Sequence, residues 1–293
     1  MTNLKPEMIP RPFELHSPST LSEATSLLGS TNDAKALAGG QSLVPLMKLR
    51  LVSPAHVVDL GKIPGLRYIR QGKRQLLIGS MTTHHEVATS SAVGKTCETL
   101  SEAASRIGDQ QVRNRGTIGG TICHADPAGD VPAAVVALDA ELKVDGYRRG
   151  RVIRATDFFQ GAFTTSLKRD EILTEVRVPV PPPRSGGAYL KLTRGASDLA
   201  TVGVASVVTL DRAGECTEAR LALAGVGSTP LRATRAEEAL EGRKPTDAVV
   251  DEAAGRAAEM SSPTSDIRGS SDYKREMVSV YVKRAVRQSL SRI

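Results

Sequence analysis

The chain has 293 residues, of which 40% are hydrophobic and 24% charged, which is typical of folded globular proteins and not of disordered or fibrous ones. Lysine and arginine outnumber aspartate and glutamate by 39 to 32, but the two signs are interleaved. The net charge of +7 therefore indicates a basic surface rather than a nucleic-acid-binding stripe, and the absence of Trp argues against base-stacking platforms. The length favours two or three compact units.

The cysteines and the N-terminal segment bear on cellular location. Cys97, Cys123 and Cys216 are far apart and form no CxxC motif, so they are not expected to assemble an iron–sulfur or zinc site in this chain. Their odd number fits a reducing compartment. Residues 1–17, with Lys5 and Glu7, contain no apolar stretch, and no later segment approaches a membrane span. We expect a soluble, cytoplasmic protein.

Helices and short strands alternate through the first 180 residues. Thr20 and Glu23 are spaced as a reciprocal helix cap, and Thr83 and Glu86 repeat the pattern, so a helix is predicted to follow each threonine. Apolar periodicity and turn residues predict strands at 36–38, 57–60, 66–69, 76–78, 141–144 and 171–179. They also predict a helix at 98–107, a buried helix at 131–138 and a short helix at 158–163. The strands on either side of residues 71–73 should form a hairpin.

A proline- and glycine-rich run from Pro179 to Gly187 marks a boundary in the chain. Beyond it, three strands are predicted at 188–192, 202–210 and 219–224, followed by three helices. The last helix is predicted to carry an apolar face made of Tyr273, Met277, Val280, Tyr281, Arg284 and Ala285. The predicted fold class is α+β.

Two segments place paired glycines after a short apolar run and before a small polar residue. We call Ala38-Gly39-Gly40-Gln41-Ser42 the first glycine turn and Thr117-Ile118-Gly119-Gly120-Thr121 the second glycine turn. Paired glycines permit positive φ and let successive N–H groups point into one concavity, which suits phosphate. The hydroxyls of Ser42 and Thr121 can each add a donor. One such turn is usually only a turn, but two match the two anionic centres of a pyrophosphate.

Familiar nucleotide fingerprints do not account for these turns. Gly94-Lys-Thr96 ends like a P-loop, but Thr89 stands where the first glycine is required. Gly225-Val-Gly227 begins like a dinucleotide fingerprint, but Pro230 replaces its third glycine. Neither a P-loop nor a Rossmann site is predicted.

Histidines and carboxylates offer few catalytic candidates. His84 and His85 begin a predicted helix without metal-ligand spacing, so a capped, partly exposed pair is expected. Asp126 and Asp130 are expected to cap the helix at 131–138. His124 is the only modest candidate for a base. We predict no catalytic residue and no metal ligand in this chain.

The glycine turns and their flanks closely resemble the FAD-binding medium subunit of the carbon monoxide dehydrogenase and xanthine dehydrogenase family of molybdenum hydroxylases. The resemblance covers almost the whole chain, through the segments Ile9–Phe13, Ala38–Arg50, Gly79–His84, Arg113–Gly120, His124–Pro127, Asp130–Pro132 and Lys191–Arg194. It implies a two-subdomain FAD-binding fold of the PCMH, vanillyl-alcohol oxidase-like type over residues 1–178, with subdomains of about 1–60 and 61–178. It further implies a C-terminal unit at 185–293, built from a three-stranded antiparallel sheet and a helical bundle.

The resemblance also implies roles for single residues. The two glycine turns would clasp the FAD pyrophosphate, with Ile118 beside the flavin. His124 and Asp130 would contact the ribityl, phosphate or adenosine groups, Leu173 would pack on the cofactor, and Lys191 would approach the isoalloxazine edge. Leu199 departs from the pattern, because relatives often carry an aromatic residue there.

The function implied is an electron relay. The molybdenum cofactor and the iron–sulfur clusters would lie in a large and a small partner subunit, in a dimer of heterotrimers, and FAD would pass electrons to NAD, a quinone or oxygen. One alternative is a free-standing FAD oxidase or dehydrogenase with His124 as its base. Another is a basic binding module without a cofactor.

Overall fold

The computed structural model describes residues 9–293, so the N-terminal charges Lys5 and Glu7 lie outside the described residues. Within this range the chain forms three main sheets, each with helices packed against it. No helix in the described part of the chain is both long and apolar enough to cross a membrane.

The first sheet is parallel, with strand order β1-β3-β2. Its region consists of β1 (Glu14–His16), α1 (Leu21–Ser30), β2 (Ala34–Leu37), α2 (Leu43–Lys48) and β3 (His56–Asp59). The Thr20 side chain caps α1 as predicted, but the Glu23 carboxylate accepts from the N–H of Ser19 instead of completing a reciprocal cap with Thr20. Ala24 of α1 and Val58 of β3 share a small core. Strand β1 and helix α2 were not predicted.

The second sheet is antiparallel, with strand order β4-β5-β10-β6-β7. Its first elements are β4 (Ile69–Gln71), β5 (Gln75–Gly79), α3 (His84–Thr89), α4 (Ser91–Thr96), α5 (Glu98–Ser105), α6 (Gln110–Arg115), α7 (Ile118–His124) and α8 (Asp130–Ala137). Its remaining elements are β6 (Glu141–Asp145), β7 (Gly150–Arg154), α9 (Ala155–Phe158), β8 (Phe159–Gly161), β9 (Thr164–Thr165) and β10 (Ile172–Pro179).

Several local predictions in this region are confirmed. The β4–β5 hairpin forms, and Thr83 and Glu86 make the complete reciprocal cap of α3. All eight residues of α8 are buried, as its apolar sequence predicted. The predicted helix at 158–163 is wrong: α9 ends at Phe158, and a β8–β9 hairpin follows, turning at Phe163 with φ of 56°.

The third sheet is antiparallel and is covered on both faces. It contains β11 (Ser185–Leu192), β12 (Val202–Leu210), β13 (Cys216–Ala224) and a short fourth strand, β14 (Leu231–Arg232), beside the three that were predicted. Alternating side chains separate two cores: Ala205 and Val207 join the large core around α5 and α8, whereas Val204 and Val208 face the C-terminal helices. Those helices are α10 (Thr234–Leu240), α11 (Asp247–Met260) and α12 (Ser271–Leu290).

The apolar face predicted for α12 is confirmed in part: Ala285 is buried and Met277 and Tyr281 pack against the core, whereas Arg284 is exposed. The helix buries Val278, Val282, Ala285 and Val286, together with the polar residues Lys274 and Ser289. Tyr273 is exposed. The large aromatic and methionine side chains suggested one stripe, but the β-branched residues fit closer to the third sheet.

Candidate functional site

The first glycine turn connects β2 to α2 and lies against the segment that follows α6. A Cβ atom at Gly39 would overlap the carbonyl oxygen of Arg115 and come within 2.7 Å of the Cα of Gly116. Gly40 has φ of 78°, which side-chain-bearing residues rarely adopt. The two glycines therefore have separate roles, since Gly39 allows a close approach and Gly40 reverses the chain direction.

The backbone donors of the first glycine turn are free of internal partners. The N–H groups of Gly39, Gly40, Gln41 and Ser42 donate to no other residue within 9–293. Ser42 precedes α2, yet its side chain makes no capping hydrogen bond. The turn thus presents four N–H groups and a hydroxyl, which is the donor set of an anion-binding nest.

The second glycine turn has the opposite character. The N–H groups of Ile118 and Gly119 donate to the carbonyls of Thr82 and Ser80, both at 2.9 Å, and those of Gly120 and Thr121 donate to Thr117. The prediction that this turn offers a nest of free N–H groups is therefore wrong. Its donors instead bind it to the segment that contains Ser80 and Thr82 and to its own helix cap.

The two turns are in contact. A Cβ atom at Gly120 would lie 3.5 Å from the Cβ of Ala38, so the second turn forms a wall beside the free donors of the first. Arg115 stands at the junction, because its backbone contacts Gly39. Its side chain makes no ion pair or hydrogen bond with the described residues. The structure therefore brings both predicted turns together beside the backbone of Arg115.

His84 holds the second glycine turn in place. Its backbone N–H donates to the carbonyl of Gly116 at 2.9 Å, and its Nε2 lies 3.1 Å from the Thr121 hydroxyl. Burial, with a smaller contribution from the positive charge of Arg113, lowers the pKa of His84 to about 4. The side chain is 1% exposed, so the expectation of a partly exposed pair holds for His85 but is wrong for His84.

Asp130 and Lys191 form a buried ion pair that joins α8 to β11. The Lys191 Nζ lies 2.8 Å from Asp130 Oδ2, and both side chains are 4% exposed. The Tyr189 hydroxyl donates to Asp130 Oδ1 at 2.6 Å, and Lys191 also donates to the carbonyl of Arg106 at 3.1 Å. Burial raises the pKa of Asp130, while Lys191 and Tyr189 oppose that shift. Asp130 therefore serves this pair and does not cap α8.

The remaining predicted residues are spread around these two clusters. The ring of His124 packs against Phe163, with ring centroids 5.1 Å apart, and burial lowers its pKa. Leu173 is buried in the large core on β10. Asp126 accepts from the N–H of Ala128 and caps no helix. Leu199 is exposed.

Comparisons with known proteins give one consistent answer. Residues 11–181 match the family described as the FAD binding domain in molybdopterin dehydrogenase, and residues 187–289 match the CO dehydrogenase flavoprotein C-terminal domain. The carbon monoxide dehydrogenase medium chain of Hydrogenophaga pseudoflava is 41% identical over 286 residues, covering 97% of this chain and 99% of that protein. The glyceraldehyde dehydrogenase medium chain of Sulfolobus acidocaldarius is 36% identical over 281 residues, covering 96% and 99%.

A solved structure extends the similarity to three dimensions. It is carbon monoxide dehydrogenase from Hydrogenophaga pseudoflava lacking the Mo-pyranopterin moiety of the molybdenum cofactor. The matching chain has a TM-score of 0.94 at 43% identity, over 97% of this chain and 99% of that one. The match therefore extends over the regions of all three main sheets.

Three residues of the site were missed by sequence reasoning. Tyr189 is separated from Asp130 by 59 positions, so no local pattern links them. The role of His84 depends on its burial. Arg115 could have been found, because a cation directly before a glycine turn is itself a signal for an anion.

Proposed function

We propose that this chain, which belongs to the family of FAD-binding medium subunits of the carbon monoxide dehydrogenase and xanthine dehydrogenase type, relays electrons through FAD between partner subunits and an external acceptor. The observation that carries the proposal is the first glycine turn, whose N–H groups have no acceptor among the described residues and which lies beside the second glycine turn within a matched FAD-binding domain. FAD supplies the redox chemistry when bound, because it can exchange electrons one or two at a time. The protein supplies position and electrostatics.

The donor set of the first glycine turn fits a pyrophosphate. Free N–H groups from Gly39 to Ser42 can donate to its oxygens, and the absence of a Cβ at Gly39 keeps the turn close to Arg115. The unpaired guanidinium of Arg115 can add a charge-assisted hydrogen bond. We therefore assign Ala38, Gly39, Gly40, Gln41 and Ser42 to phosphate binding and add Arg115 to them.

The second glycine turn contributes a wall and one hydroxyl. The buried Nδ1 of His84 has no partner, and an acceptor is left unpaired in protein interiors more readily than a donor. We infer that the proton resides on Nε2 and is donated to the Thr121 oxygen. The Thr121 hydrogen is then free to point towards the cofactor. Thr117, Ile118, Gly119 and Gly120 complete the wall.

The buried ion pair provides a second point of attachment. Lys191 has three N–H bonds, of which Asp130 and the carbonyl of Arg106 accept two, so one remains available for an acceptor on the flavin. Because Asp130 and the carbonyl of Arg106 hold the ammonium in place, little ordering is needed when the cofactor binds. We propose that His124 and Leu173 border the same cofactor.

The assembly is proposed from the similarity to medium chains of molybdenum-containing complexes. The three cysteines of this chain are free thiols, and we propose that the iron–sulfur clusters belong to a small subunit and the molybdenum cofactor to a large subunit. We propose a dimer of such heterotrimers in the cytoplasm, with NAD, a quinone or oxygen as acceptor. Residues 1–178 would form the FAD-binding unit, with subdomains of about 1–60 and 61–178, and residues 185–293 the C-terminal unit.

One pair of variants tests the assigned cofactor site. Gly39→Ala should force the first glycine turn away from Arg115, because its added Cβ overlaps that backbone. At the roughly 1–3 kcal/mol typical of overpacking, FAD affinity should fall by about 5- to 150-fold. Gly255→Ala is the matched control, since no atom lies within 4 Å of its added Cβ, and it should bind FAD normally. Affinity is measured by quenching of flavin fluorescence on the full chain.

The relay itself is tested by adding partners. The chain alone should be yellow but inactive, whereas the complex with its small and large subunits should reduce its flavin when given the substrate of the large subunit. A wild-type chain that stays colourless with micromolar FAD would exclude flavin binding. Turnover of a small substrate by the isolated chain would exclude the relay.

A further inference from the structure

Three potential metal ligands converge on the first sheet, in residues that the electron relay does not use. Strands β1 and β3 pair in parallel, with Glu14 opposite His56. Residues two apart on a strand share a face, so Glu14 and His16 project from the same side as His56. The backbone register therefore places two imidazoles and one carboxylate together on two hydrogen-bonded strands.

The distances within this cluster match those between the ligands of one ion. His16 Nε2 lies 3.1 Å from His56 Nδ1. One carboxylate oxygen of Glu14 lies 3.7 Å from His16 Nε2, and the other lies 3.5 Å from His56 Nδ1. Around a tetrahedral zinc ion with bonds of 2.0–2.1 Å, neighbouring ligand atoms are about 3.3 Å apart. An ion could thus be bound by small side-chain rotations, without movement of either strand.

We propose that Glu14, His16 and His56 bind a divalent transition-metal ion, with zinc the best match. Two nitrogen ligands and one oxygen favour zinc over calcium or magnesium, which take oxygen ligands. The cluster is accessible, with side-chain exposures of 65% for Glu14, 20% for His16 and 28% for His56, so an ion can enter and retain water in its fourth position. Among the described residues, this is the one group of three or more such side chains with this spacing.

The ion would join β1 to β3 at one edge of the first sheet. β1 has only three residues and lies at the edge of its sheet. A metal bound jointly by β1 and β3 would hold this edge strand in register. The effect should appear as metal-dependent stability of the folded chain, because a ligand that binds only the folded state stabilises it.

The test is zinc titration of the full FAD-loaded chain after treatment with EDTA and desalting, in competition with a chromophoric chelator. Wild type should bind one zinc ion, and zinc should raise its unfolding temperature. The double variant His16→Gln/His56→Gln should bind at least about 100-fold more weakly, exceeding the 10–100-fold typical of losing a residue that only supports a ligand. Glu14→Gln alters an exposed side chain and should weaken binding while preserving the flavin absorbance that reports a folded chain.

A matched control separates this cluster from other histidines. His85→Gln removes an exposed histidine outside the cluster and should leave zinc affinity unchanged. The proposal is overturned if zinc binds the double variant as tightly as wild type, or if wild type binds no zinc in competition with the chelator. In either case the cluster is a surface hydrogen-bonded group and not a metal site.

Discussion

The buried imidazole of His84 should make the stability of the folded chain depend on pH. Its pKa is lowered from 6.5 to about 4 by burial, so the folded state binds fewer protons than the unfolded state between these values. Stability therefore falls as pH decreases through this window. Lowering the pKa of His84 from 6.5 to about 4 makes the free energy of unfolding about 3 kcal/mol smaller once the imidazole is protonated in both states, and about 2 kcal/mol of this should already be lost at pH 5.

The assay compares wild type with His84→Gln, whose amide can still donate to the Thr121 hydroxyl but does not titrate. Free energies of unfolding are measured with urea from pH 7.5 to pH 4.5 on the full chain. Carboxylates that titrate over the same range are common to both proteins, so they cancel in the difference. The free energy of unfolding of wild type should fall relative to that of His84→Gln as pH decreases. Parallel curves for wild type and His84→Gln, within about 0.5 kcal/mol, would refute the assigned burial of a neutral imidazole.

Three further substitutions test the remaining parts of the site. Lys191→Met should leave the Asp130 carboxylate buried without its cation, lowering the free energy of unfolding by about 3–5 kcal/mol at pH 7. This loss should be smaller at acidic pH and smaller in the double variant Asp130→Asn/Lys191→Met. An equal loss in the single and the double variant would contradict the pairing. Ser42→Ala should leave urea unfolding within about 0.5 kcal/mol of wild type because no capping bond is lost, yet weaken FAD binding about fivefold; unchanged affinity would remove Ser42 from the site. Arg115→Gln should weaken FAD binding by about 10- to 150-fold in fluorescence titrations, with a reduced salt dependence; a salt dependence equal to that of wild type would show that Arg115 does not contact the phosphates.

Much of the local structure could be predicted because its causes are local. The Thr83 cap depends on residues three positions apart, and β12 runs from Val202 to Leu210 as its apolar sequence indicated. The buried helix α8 was identified by its composition alone. Where local preference was ambiguous, the prediction failed: the segment at 158–163 contains apolar residues compatible with a helix, but it forms a hairpin around Phe163.

The candidate site likewise contains features that the sequence predicted and features that only the folded structure shows. Two glycine turns and their similarity to a flavoprotein family were evident in the sequence, since chain reversal and close approach require glycine itself. The sequence did not show which turn keeps free donors. The carbonyls that accept from the N–H groups of Ile118 and Gly119 belong to Thr82 and Ser80, nearly forty residues earlier. Two similar glycine pairs therefore differ in their free donors because they have different hydrogen-bond partners.

The sequence by itself determined the α+β class, most strands and caps, the two glycine turns and the family, since each depends on neighbouring residues or on a motif. Tertiary structure decided which groups are charged, paired or free. Folding joins Asp130 to Lys191 across 61 positions and His16 to His56 across 40. Burial removes the water that would otherwise solvate these groups, so their pairing and ionisation depend on contacts that exist only in the folded chain.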